Sequence, residues 1–244
     1  MKLRVSGILK QSDFHYPRKI SSVVYLAGVP FKSIFSEAGD NAIETTVESL
    51  YTELSAQSKE VDAIVFSGAE PLMQSNSLRS LLPMLKGDGF STKIDTNGFY
   101  PESLRDLLPF LDYVSMDLKT RFDEKAYAKA TGNLAPGEVV VSNVLRSLAF
   151  LENSRYPVFR EFSITLIEGE NDDFQTIESL SSYVKKYCDL FTLRQFEPEN
   201  PLAPEHLKQK PQAPKEKIFE LAMMARNILP NVSVSIKEKK ERLK

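Results

Sequence analysis

Apolar, β-branched runs recur along the chain with helical or turn-rich stretches between them, the pattern of a parallel sheet wrapped by helices. Strands are predicted near 20–27 (ISSVVYLA), 62–67 (DAIVFS), 91–96 (STKIDT), 112–118 (DYVSMDL), 159–167 (FREFSITLI) and 190–196 (LFTLRQF), with a short last strand near 231–236 (NVSVSI). Helices are predicted over 42–57, 75–86, 101–108, 139–153, 172–187 and 214–228, where apolar residues return at three- and four-residue spacing. Six strand–helix units result. Right-handed crossovers let such units curl into a partial barrel or lie as an open doubly wound sheet, and periodicity does not separate the two. The segment 198–214, PENPLAPEHLKQKPQAP, holds too many prolines for a helix or a central strand and reads as a long surface loop.

Composition narrows the partners. The 244 residues, 42% hydrophobic and 26% charged, suit one domain with a single core over 1–244. A formal net charge of -2 gives no electrostatic reason to expect nucleic acid. The tail 237–244 is basic but interrupted by Glu238 and Glu241, as a solvated end would be. No apolar run approaches the ~20 residues that cross a bilayer, and MKLRVSGILKQSDF lacks the apolar core of a secretory signal. A cytoplasmic protein without a membrane or nucleic-acid partner is expected. Cys188 is the single cysteine, which excludes a disulfide framework and a multi-thiolate zinc site. His15 and His206 show no metal-ligand spacing.

In either architecture ligands gather at the carboxyl ends of parallel strands. Those positions read Ser67-Gly68-Ala69-Glu70-Pro71, Asp95-Thr96-Asn97-Gly98, Asp117-Leu118-Lys119-Thr120, Thr165, and Arg194-Gln195-Phe196. Carboxylates, an amide, a lysine and an arginine thus converge on one rim. Simpler roles exist: Asp95 and Asn97 before Gly98 suit a turn, and Asp117 with Lys119 suits a structural ion pair on one strand face. Glu70 follows a glycine that lets backbone approach a ligand closely. Lys119, with Asp117 beside it, is the candidate for base or Schiff-base chemistry, although neighbouring carboxylates favour its charged form.

The ordered set SGILKQSDFHYPRKISSVVYLAGVPF, VFSGAEPLMQ, KIDTNGFYPE, LDYVSMDLKT and LRQFEP resembles the radical S-adenosylmethionine superfamily, in its branch of activators for anaerobic ribonucleotide reductase and pyruvate formate-lyase. The resemblance implies a partial (β/α)6 TIM-type barrel. It also implies cofactor contacts at Gly68, Ala69, Glu70, Asp95, Asn97, Asp117, Lys119 and Arg194. That family's first loop carries a CxxxCxxC motif for a four-iron, four-sulfur cluster; here Val29, Ser33 and Ser36 occupy the three positions. Valine has no donor and a serine hydroxyl replaces a soft thiolate poorly. His15 and Arg18 stand where the activators usually have Asp and Gly. The expectation is a chain without an iron–sulfur cluster and without its radical chemistry. It would be a binding or regulatory pseudoenzyme with a pocket for S-adenosylmethionine or a related nucleoside. Its expected partner is a glycyl-radical-type protein or a true activating enzyme. The alternative is a barrel enzyme with non-radical chemistry on the same rim.

Overall fold

The computed structural model describes residues 1–28, 42–132, 135–199 and 205–236. In chain order the strands are β1 (Lys2–Ser12), β2 (Ser21–Leu26), β3 (Ile43–Thr46), β4 (Ala63–Gly68), β5 (Ser91–Thr96), β6 (Tyr113–Asp117), β7 (Phe159–Leu166), β8 (Leu190–Gln195) and β9 (Val232–Ser235). The helices are α1 (Val47–Ser55), α2 (Ser75–Gly87), α3 (Pro101–Leu107), α4 (Glu124–Ala130), α5 (Gly137–Glu152), α6 (Phe174–Val184), α7 (Glu205–Lys208) and α8 (Lys215–Arg226). They form one nine-stranded sheet in the order β3-β1-β2-β4-β5-β6-β7-β8-β9. From β2 to β9 every neighbouring pair is parallel, while β1 and β3 pair antiparallel at the edge. Among the described residues β3 and β9 do not pair, so the barrel is partial and open.

Alternation along each strand sorts the side chains. Val24, Leu26, Ile64, Phe66, Ile94, Val114, Met116, Phe162, Ile164, Phe191 and Leu193 face the helices and join the main core with Leu78, Leu81, Leu104, Leu148, Leu180 and Leu221. The concave face is different. Tyr16, Val23, Ala63, Val65 and Tyr113 fill its floor as a small separate cluster. Above them the inward positions are polar: Lys93 and Asp95 on β5, Glu161 on β7, Thr192 and Arg194 on β8.

The predicted strands and the six strand–helix units agree with this sheet, with four departures, one of them α4, which no predicted helix covers. Residues 43–46, expected to open a helix, form β3 instead; Ile43-Glu44-Thr45-Thr46 pairs with Val5 through Lys2, and Thr46 then caps α1 by accepting a hydrogen bond from Ser49 N at 3.1 Å. Unforeseen β1 packs Leu3 and Val5 into the main core and pairs antiparallel with both β2 and β3. Within the proline-rich segment 198–214, residues 205–208 make a short helical turn, α7, whose Leu207 is buried against Ile167 and Phe196. The tail 237–244 lies outside the described residues.

Arg18, in the connection from β1 to β2, has φ of 63°, the one non-glycine residue in the left-handed region among those described. Any Cβ costs energy there, and glycine alone escapes it. No helix of the described residues is long and apolar enough to cross a membrane.

Candidate functional site

The rim begins where β4 ends. Gly68 has φ of 102°, and a Cβ built on it would stand 2.5 Å from the carbonyl oxygen of Leu26 and 2.7 Å from its nitrogen. Only glycine lets the β4 turn lie against β2. The turn is then tied down: Ala69 N donates to Leu26 O at 3.0 Å and Glu70 N to Gly28 O at 3.2 Å. Glu70 is fully buried. Its Oε1 accepts from Leu72 N at 3.0 Å and from the Thr96 hydroxyl at 2.8 Å, and its Oε2 accepts from Asn97 N at 2.8 Å. Burial pushes its carboxyl up to about 7, against the pull of those hydrogen bonds and of Lys119. Glu70 therefore braces the turn after β4 against the end of β5, with no surface turned outward. Gly68 itself is exposed, and Ala69 and Asn97 are half-buried.

Asp117 and Lys119 follow at the end of β6. The Lys119 ammonium is paired with Asp117 Oδ2, while Asp117 Oδ1 is buried and accepts no hydrogen bond among the described residues. Directly across on β7 stands Ser163, whose buried Oγ is likewise unpartnered. Such orphaned groups ask for a water or a ligand. Asn171, 2% exposed, fixes this part of the rim. It donates to the carbonyls of Lys119 at 2.8 Å and Thr165 at 2.9 Å and accepts from Ile167 N at 2.8 Å.

The other predicted residues, Asp95 and Arg194, line a cleft of about 750 Å³ inside the open barrel, together with Ser67, Thr165, Phe196, Glu197 and the inner residues of β9. Glu70, Asn97, Asp117 and Lys119 are not among its walls. A buried ionic network supports the cleft. Glu161 accepts from the Tyr113 hydroxyl at 2.9 Å, from Thr192 at 2.7 Å and from Arg194 Nη2 at 3.3 Å. Lys93 Nζ donates to His15 O at 2.7 Å and lies 3.3 Å from Asp95 and 3.9 Å from Glu161. Burial works to raise the Glu161 carboxyl, but Lys93 and Arg194 hold it below the ordinary value. His15 closes the floor, bonded to Ser12 at 2.7 Å, and burial lowers its pKa.

Sequence reasoning did not find Lys93, Tyr113, Glu161, Thr192 or Asn171. A charged residue in the middle of a strand that otherwise reads as buried, as in STKIDT and FREFSITLI, was the available signal. Asn171 carried none.

The three cluster-loop positions, Val29, Ser33 and Ser36, lie outside the described residues. Cys188 sits just before β8, at the opposite end of the sheet from the rim. Burial pushes its thiol up to about 12, so it stays protonated at neutral pH and does not fit the part of a thiolate ligand.

Residues 29–180 match the Radical SAM superfamily. A Methanocaldococcus jannaschii protein that carries the name glycyl-radical enzyme activating enzyme is 32% identical over 241 residues, 96% of each chain. The pyruvate formate-lyase 1-activating enzyme of Escherichia coli is 28% identical over 151 residues, 58% of this chain and 57% of that one. A radical SAM methyltransferase from Sphaerobacter thermophilus shares the fold with a TM-score of 0.66 at 15% identity, over 92% of this chain and 68% of that one. These matches overturn the expectation of a chain without an iron–sulfur cluster, because the family they identify is built on a cluster and S-adenosylmethionine. The physical reason is that counting thiols in one sequence tests one kind of ligand from one source. With this sequence match, its near full-length relative and the shared open barrel, the chain belongs to the Radical SAM superfamily.

Proposed function

We propose that the chain binds S-adenosylmethionine or a related nucleoside at the rim of Gly68, Ala69, Asn97, Asp117 and Lys119. In this reading it serves a glycyl-radical-type protein, or a true activating enzyme, as a binding or regulatory member of its family in the cytoplasm. The observation that carries the reading is the Asp117–Lys119 pair on the same rim as the exposed Gly68 turn, two strands along the sheet. A carboxylate with a buried, unpartnered oxygen next to an ammonium group matches the zwitterionic methionine end of such a ligand. Glu70 takes the part of a positioning residue that fixes Asn97 and the turn. S-adenosylmethionine, when bound, supplies a sulfonium carbon–sulfur bond that can be broken; the residues of this chain bind it, orient it and exclude water.

The relatives support the choice of partner, since two of them are named for activating glycyl-radical enzymes or pyruvate formate-lyase. Base or Schiff-base chemistry by Lys119 fits less well, because its ammonium is committed to Asp117. Calorimetric titration with S-adenosylmethionine and S-adenosylhomocysteine tests the ligand. Binding heat and a thermal shift are expected in the wild type, with a loss of about tenfold or more in Asp117→Asn. No heat and no shift at millimolar ligand refute it. Turnover of S-adenosylmethionine to 5′-deoxyadenosine after anaerobic reconstitution with iron and sulfide would refute the regulatory half.

A further inference from the structure

Residues 207–213 run as a strap from the short turn α7 to the start of α8, and residues 209–214 are neither helix nor strand. Pro211 and Pro214 keep them so. Three kinds of contact hold the strap down. Leu207, 1% exposed, closes a small cluster with Ile167 and Phe196 that stands apart from the main core. Gln195 Nε2 donates to Ala213 O at 2.8 Å, and Gln212 Nε2 donates to Phe196 O at 3.4 Å. Lys210 is ion-paired with Glu170.

The apolar contact and the ion pair land on one turn. Ile167 and Glu170 both follow β7, on either side of Gly169 with its φ of 73°. The Glu170 carboxylate is shared, with Lys210 of the strap on Oε1 and Lys129 of α4 on Oε2. Burial works to raise that carboxyl, but the two lysines hold it below the ordinary value. Asn171, the next residue, carries the connection to the rim. Its side chain accepts from Ile167 N and donates to the carbonyls of Lys119 and Thr165. A contiguous set of contacts thus leads from Leu207 and Lys210, through Ile167 and Glu170, to Asn171 and the backbone of Lys119. Asp172 gives the turn a separate anchor, bonded to Gly169 N at 2.9 Å and paired with Lys217 of α8 at 2.7 Å.

The strap is held loosely enough to lift without the rest of the fold. One leucine and a partly exposed ion pair are a weak hold, and segments with few buried apolar contacts open at lower free energy than the core. Lifting it takes the Leu207 cover from Ile167 and Phe196 and one lysine from Glu170. The Asp172 anchor stays, so the turn loosens and does not unfold.

We propose that Glu170 is a positioning residue of the rim: with the strap docked, its pairing with Lys210 and Lys129 holds the 167–171 turn so that Asn171 fixes the Lys119 backbone for ligand. Release of the strap lowers rim affinity. The ligand half rests on the reading of the rim as the S-adenosylmethionine site; the strap's hold on the turn does not.

Hydrogen exchange of the full chain, read at the amides of Ile167 and Lys210, follows the strap without any ligand, and calorimetry with S-adenosylmethionine follows the rim. Leu207→Ala, Lys210→Met and Glu170→Gln should each speed exchange at Ile167 severalfold and weaken S-adenosylmethionine roughly three- to tenfold. Lys210→Arg, which keeps the ion pair, should stay near the wild type in both. Lys210→Met combined with Glu170→Gln should be no worse than Glu170→Gln alone, within about twofold, because both remove one interaction. Unchanged exchange at Ile167 in Lys210→Met and Glu170→Gln overturns the inference whether or not ligand binds. Faster exchange with an unchanged S-adenosylmethionine affinity overturns it too, and leaves the proposed function standing. A wild type that binds no S-adenosylmethionine refutes the rim reading, and exchange alone then decides whether Glu170 holds the turn.

Discussion

Replacing Glu70 by glutamine separates two contributions that the wild-type carboxyl combines. Two backbone N–H groups, of Leu72 and Asn97, point at different oxygens of Glu70. Glutamine has one oxygen, so whichever way its amide is turned, one buried donor loses its acceptor, at a cost of about 1–3 kcal/mol. The second contribution is proton linkage. The gap between an ordinary glutamate at 4.5 and Glu70 at about 7, at about 1.4 kcal/mol for each factor of ten, sets a ceiling of roughly 3 kcal/mol. Between those values the folded state holds a proton that the unfolded state has released, so stability falls as pH rises through the window and is highest below 4.5. Glutamine does not titrate. Denaturant unfolding followed by circular dichroism at pH 5, 6.5 and 8 should show wild type ahead of Glu70→Gln at pH 5. That lead should shrink by about 2–3 kcal/mol by pH 8. Two stability curves that stay parallel across this range would refute the assignment of Glu70 as a buried, proton-holding brace.

Two further substitutions test the backbone around the site. Gly68→Ala sets a Cβ 2.5 Å from Leu26 O at φ of 102°, so a loss of about 2–4 kcal/mol in unfolding free energy is expected, together with the loss of rim binding; a variant with wild-type stability would contradict the close β2–β4 approach. Arg18→Gly relieves the left-handed residue at φ of 63° and should raise stability by roughly 0.5–1 kcal/mol after glycine's entropic cost, a melting shift of about 1–4 °C upward. A lower melting temperature would show that Arg18 makes compensating interactions.

What the sequence made legible follows from where period-two and helical patterns are strong. β4, β6 and β7 read clearly because Ile64, Phe66, Val114, Met116, Phe162 and Ile164 all turn to the helices. β3 did not, because three exposed residues and half-buried Thr45 acquire strand character only by pairing with β1. α4 is short and rests on Asp123, which caps Ala126 N at 2.8 Å, and on buried Tyr127. The rim residues were legible one strand end at a time. Their division into a braced turn, an ion pair and a separate cleft was not, because it depends on Glu70, after β4, reaching Thr96 and Asn97 at the end of neighbouring β5. The network of Lys93, Glu161 and Arg194 joins β5, β7 and β8, and no pattern local to a strand records it.

Cys188 is 8% exposed and its thiol is pushed up to about 12, so it reacts slowly with electrophiles at neutral pH. As the single cysteine of the chain, it leaves the native sequence nearly silent toward maleimide reagents. A cysteine introduced at exposed Phe14, on the lip of the cleft, would accept a fluorophore or spin label at one position without prior removal of the native thiol, giving a direct optical readout of whatever enters the barrel.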